Sequence, residues 1–167
     1  MNPVRNQQTV TPEGASTLPL ITGVRVIPLT THLDARGSLT QFPPELFELP
    51  IVDGHQVTIR PNKVKGWIVH YVQLDRLIFW QGDLRVVLYD DRDDSPTRGK
   101  INDLVFGEAR PVLCFIPPGV YHAVQNLGAL TASHLSFPTV PYNHAKPDKY
   151  RLPLDTKLIP FDFTMQG

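Results

Sequence analysis

The chain has 167 residues, enough for one domain of ordinary size, with 41% hydrophobic and 19% charged residues, a balance that excludes a disordered tail and predicts a core. Sixteen Lys and Arg offset sixteen Asp and Glu, so no broad basic field exists to draw in nucleic acid. Cys114 is alone and no apolar run approaches the ~18 residues of a membrane span, which predicts a protein without disulfides, kept in the cytoplasm and off the membrane.

Seventeen prolines, about double the usual ~5% share, punctuate the chain and argue against a helical bundle. Short strands joined by turns are expected instead. Residues 1–18 are polar and read as a flexible arm, or as a strand that orders only against a partner subunit; residues 19–167 form the single domain. From Gly23, Val24, Val26 and Pro28 share one face of a strand-like segment. Leu46–Leu49 is expected as one helical turn, opened by Pro43 and Pro44 and closed by Pro50. Val64–Tyr89 is the densest β region, broken by a turn at Gly82 and Asp83. Its second run, Leu84–Tyr89, alternates only partly, as a strand covered on both faces would.

Asp90–Lys100 reads as a charged loop, with Asp90–Asp94 a solvated hairpin end. Strands are expected at Asp103–Phe106, Val112–Ile116, His122–Gln125 and Thr131–Phe137, with turns at Pro117–Gly119 and Asn126–Gly128. After Pro138 the chain is irregular and suits an outer wrap. Strands at this spacing form a sandwich or barrel.

The densest motif is Pro117–Pro118–Gly119–Val120–Tyr121–His122, followed by Asn126. It resembles the second motif of the cupin barrels, in which a tight turn fixes a strand whose His points inward. The first cupin motif falls on Ile68, His70, Asp75 and Gly82. Within the cupins, Asp34–Ala35–Arg36–Gly37, the loop Arg92–Lys100 with its Ser95–Pro96–Thr97, Ile116–His122 and Pro141–Tyr142 occur in the order found in the dTDP-4-dehydrorhamnose 3,5-epimerase family. The chain is similar to that family over roughly residues 23–163. The resemblance implies an all-β cupin (double-stranded β-helix or jelly-roll) barrel with few short helices, a homodimer, a nucleotide-sugar substrate and no cofactor.

The resemblance also assigns residues. The position of the family's catalytic base holds Ile68, that of its enolate-steadying lysine holds Asp75, and the aspartate that orients the base falls beyond Gly167. Tyr142 matches the catalytic tyrosine, His122 a polar group of the pocket, and Arg36 and Lys65 anchors for phosphate or sugar. Because residues i and i+2 of a strand face one side, His70 shares the side of Ile68 and can stand in as the base. Trp67 and Arg76 complete the expected substrate contacts, Trp67 by stacking or else as core packing. Arg36 could equally be a turn partner of Asp34. The remaining histidines, His134 among them, carry no motif and receive no role.

Three functions stay open. The first is an epimerase or keto-isomerase of a nucleotide-linked 4-keto-6-deoxyhexose in deoxysugar or polysaccharide biosynthesis. The second is a metal-dependent cupin using His70, Asp75 and His122, with Gln73 as a weaker ligand. The third is a non-catalytic sugar-nucleotide binder descended from an epimerase.

Overall fold

The computed structural model describes residues 17–164, so all but the last two residues of the expected arm lie outside it. Twelve strands follow in order: β1 (Arg25–Pro28), β2 (Thr30–Asp34), β3 (Gly37–Gln41), β4 (His55–Ile59), β5 (Val64–Val69), β6 (Asp75–Gln81), β7 (Asp83–Asp90), β8 (Ile101–Gly107), β9 (Val112–Ile116), β10 (Val120–Asn126), β11 (Ala132–Ser136) and β12 (Tyr150–Arg151). The expected helical turn is a 3-10 turn at Pro44–Phe47, with Pro44 in its first turn, where a missing N–H costs nothing.

Two five-stranded antiparallel sheets, ordered β1-β9-β6-β11-β4 and β12-β5-β10-β7-β8, form the cupin barrel. Strands β2 and β3 pair only with each other and project as a hairpin. Its short polar strands, like β4 and β12, carried no clear periodic signal.

Strand β7 explains the partial alternation of Leu84–Tyr89. Leu84, Val86 and Leu88 face the barrel interior with Phe79, Phe106 and Cys114, whereas Val87 and Tyr89 face outward. There the C-terminal segment covers them with Ile159 and Phe163. The 3-10 turn covers the other sheet, where Leu46 packs on Ile78, Leu113 and Phe115. The central strands of both sheets are therefore buried on both faces, and β9 and β10 are buried throughout. The wrap expected after Pro138 is one of these two covers.

Asn126 closes the β10 turn by donating to the carbonyls of Ile59 and Leu130 and accepting from the Gly128 N–H, each at 2.8 Å. Gly119, at φ +80°, makes the tight entry to β10, and a Cβ there would meet the Arg92 side chain at 2.6 Å.

Candidate active site

Between the sheets lies a pocket of about 220 Å³, walled by β4, β6 and β11 on one side and by β5, β10 and β12 on the other. Strand β5 enters it through a bulge. Ile68 pairs with His122 but Lys65 with Val124, so β5 spends one residue more than β10. The extra residue puts Lys65, Ile68 and His70 on the same wall.

Two bonds fix His70 just after β5. Its carbonyl accepts from the Gly119 N–H at 2.7 Å, and its ring Nδ1 donates to the Asp148 carbonyl. The Asp148 carboxylate accepts from the N–H groups of Tyr71, Val72 and Gln73 at 2.8–2.9 Å, which pins the turn after His70. Burial works to raise the Asp148 pKa, but these N–H groups outweigh it and hold the carboxyl below its ordinary value. With Nδ1 directed at the Asp148 carbonyl, the ring turns its Nε2 into the pocket.

Asp75, which opens β6, stands between two imidazoles. Its Oδ2 lies 3.5 Å from His70 Nε2 and 3.6 Å from His122 Nε2, and its Oδ1 accepts from Gln73 Nε2 at 2.6 Å. Burial pushes the His122 pKa down, so that ring is neutral. Across the pocket His134 packs against Phe79, with ring centroids 5.1 Å apart. Burial drives its pKa to about 3. The rim is cationic: Arg151 pairs with Ile68 across β12 and β5, and Lys149 and Lys65 line the same mouth. Burial, then the Arg151 charge, lowers the Lys149 pKa. A substrate whose reacting end is neutral and whose other end is anionic matches this polarity.

Of the residues expected from sequence, His70, His122, Asp75, Gln73, Lys65 and Tyr142 converge on this pocket. Tyr142 is half exposed; its N–H donates to Asp53 at 3.0 Å and its ring packs edge-on against His144.

Three expected substrate contacts lie elsewhere. Trp67 is fully buried on the outer face of β5, against Phe161 and Phe163, because it alternates with the pocket-facing Ile68. It is a packing residue. Trp67→Ala is expected to cost about 3–5 kcal/mol in a urea titration while leaving the pocket lining intact. Arg76 is also fully buried, and its guanidinium donates to the carbonyls of Leu46, Leu49, Pro50, Phe137 and Pro138. No donor is left for a substrate. Arg36 sits at the tip of the β2–β3 hairpin with its side chain 90% exposed and clasped to Asp34 at 2.6 Å, so it is a turn partner within its own chain.

Asp90 differs as well. The acidic run was expected to be solvated, yet this carboxylate is fully buried and accepts from Arg92, Ser95 and Thr97. It organises the loop from inside. His134, Lys149, Arg151 and Asp148 were not anticipated, since the first stands in an ordinary strand and the others in the proline-rich wrap.

No family model matches the chain. It is 34% identical over 149 residues to the spore coat polysaccharide biosynthesis protein SpsL of Bacillus subtilis, covering 88% of this chain and 99% of that one. It is 31% identical over 154 residues to the probable low-salt glycan biosynthesis epimerase Agl13 of Haloferax volcanii, covering 89% and 98%. In fold it matches the dTDP-4-dehydrorhamnose 3,5-epimerase of Bacillus anthracis with a TM-score of 0.75 at 17% identity, over 90% of each chain. The chain belongs to the family of SpsL and the Agl13 epimerase, and it has the fold of the dTDP-4-dehydrorhamnose 3,5-epimerases. Where the resemblance places a base and a lysine, this chain carries Ile68 and Asp75.

Proposed function

We propose that the protein is an epimerase or keto-isomerase of a nucleotide-linked, dTDP-type 4-keto-6-deoxyhexose, and that it works without a cofactor in the cytoplasm. The observation that carries the reading is His70, an imidazole with Nδ1 tied to a backbone carbonyl and Nε2 open to the pocket beside Asp75.

His70 Nε2 removes the proton from the carbon next to the ketone, and the electron pair moves onto the ketone oxygen as an enolate. The Asp75 carboxylate stabilises the imidazolium that results. Tyr142, on the same pocket, returns a proton to that carbon from the other face, which inverts the centre; if the enolate oxygen first takes the proton of the neighbouring hydroxyl, protonation of the former ketone carbon moves the carbonyl to the neighbour instead. His122 serves as a hydrogen-bonding group in the pocket, and Lys65 as an anchor for the anionic end.

A homodimer accompanies this reading. The isolated β2–β3 hairpin exposes Leu33 at 82% and Leu39 at 63%, and a two-stranded ribbon is marginal in water without a surface to lie on. A second copy would cover it and offer Arg36 to the partner's substrate. No helix among the described residues is long and apolar enough to cross a membrane.

The test is proton NMR of dTDP-4-keto-6-deoxyglucose with the protein in D₂O and excess chelator. Deuterium entering C3 or C5 is expected, and its position names the centre. Line broadening that reports binding, with no exchange at either carbon, would leave a sugar-nucleotide binder instead.

A further inference from the structure

The spacing of the three groups around Asp75 suits more than proton transfer. At 3.5 and 3.6 Å, the two imidazole Nε2 atoms stand too far from Asp75 Oδ2 for good hydrogen bonds. Zinc bonds of 2.0–2.2 Å in a tetrahedron place neighbouring ligand atoms about 3.4 Å apart. The full set of three donor atoms lies within 4.8 Å, so a small inward movement of the histidines closes it on an ion.

The surroundings are built in the same sense. The distal nitrogen of His70 is held by the Asp148 carbonyl, the kind of outer contact that orients a ligating imidazole. The distal oxygen of Asp75 is held by Gln73. His122 is buried beside them, its Nε2 3.6 Å from Asp75 Oδ2. Two imidazoles and one carboxylate favour a borderline transition metal over magnesium or calcium, which prefer an all-oxygen shell.

We propose that His70, Asp75 and His122 form a binding site for one divalent transition-metal ion of the zinc class, and that the bound ion silences proton transfer. The ion takes the same Nε2 lone pair that the base needs, so one site cannot hold both metal and substrate proton. The silencing rests on the function proposed above; the metal site does not.

Cobalt(II) is the probe, because its visible absorption bands report nitrogen ligation and geometry whether or not the protein turns over a sugar. Titration of the chelator-stripped protein should show one cobalt per chain with intense tetrahedral bands, displaced by zinc and untouched by millimolar magnesium. Asp75→Asn and His122→Gln, each checked by its melting temperature, should weaken cobalt more than the ~10–100-fold seen when only an outer contact to a ligand is lost. In the deuterium-exchange assay, stoichiometric zinc should abolish exchange and chelator should restore it.

No saturable cobalt spectrum, or cobalt binding unchanged in both variants, would overturn the site. Zinc that accelerates exchange would overturn the silencing and make the ion a Lewis acid. A protein that binds cobalt as described but never exchanges deuterium would leave the site standing and refute the epimerase reading alone.

Discussion

His70→Asn is expected to slow deuterium exchange into the keto sugar by about 10²–10⁴-fold, the range of a lost general base. The asparagine amide has nothing to receive a proton at neutral pH. It is nevertheless polar enough to reach toward the Asp148 carbonyl, so the turn after β5 should stay in place. The loss should fall on kcat, while dTDP binding, measured by calorimetry, moves little. Tyr142 provides the comparison, since Tyr142→Phe should also lower the rate but leave the cobalt titration unchanged, whereas His70→Asn should weaken cobalt as well. A His70→Asn enzyme that exchanges at the normal rate would remove His70 from the chemistry and point to another group of the same pocket.

The second large effect is on stability. Arg76→Leu is expected to destabilise the protein by on the order of 3–5 kcal/mol, a large part of the ~5–15 kcal/mol that holds a domain together. Arg76 is fully buried, and its five carbonyl partners come from the segment around the 3-10 turn and from the chain just after β11. Leucine fills much of the volume but leaves those carbonyls without donors, at about 1–3 kcal/mol for each one that water cannot reach. Burial lowers the Arg76 pKa, yet a guanidinium remains charged at any pH at which the protein folds. Arg76→Lys should rescue only in part, because three donors on a flexible stem cannot span partners on both segments. Urea denaturation of the two variants measures both effects. A loss confined to substrate binding, with the midpoint unchanged, would return Arg76 to the pocket.

These two residues show where reading the chain succeeds and where it stops. The β classes of β6 to β11 were legible because each depends on a local pattern. Runs of β-branched and aromatic residues end at turns such as Pro117–Gly119 and Asn126–Gly128, and Val112–Ile116 occupies the residues that the pattern marks. The period-two rule also places His70 with Ile68, and the structure puts both on the pocket wall. The same rule puts Trp67 on the opposite face, a consequence that its expected place among the substrate contacts overlooked and that its burial in the structure shows. The hairpin of β2 and β3 escaped notice because its strands bury almost nothing, so no alternation is imposed on them.

By itself, the sequence determined the barrel class, the family and the order of its turns, since these follow from periodicity and short motifs that act over a few residues. Only the tertiary structure decided which charged groups meet. His70, Asp75 and His122 could be paired on paper, but Asp148 is 78 residues from His70, and Lys149, Arg151 and His134 join the pocket through pairing between distant strands. Arg76 and Arg36 look alike as charges in a chain. One is drawn inside because five carbonyls replace its water, and the other stays out because its partner, Asp34, is two residues away on the same exposed turn. Whether a charge is buried depends on the partners that the fold delivers from elsewhere in the chain, and no local pattern records them.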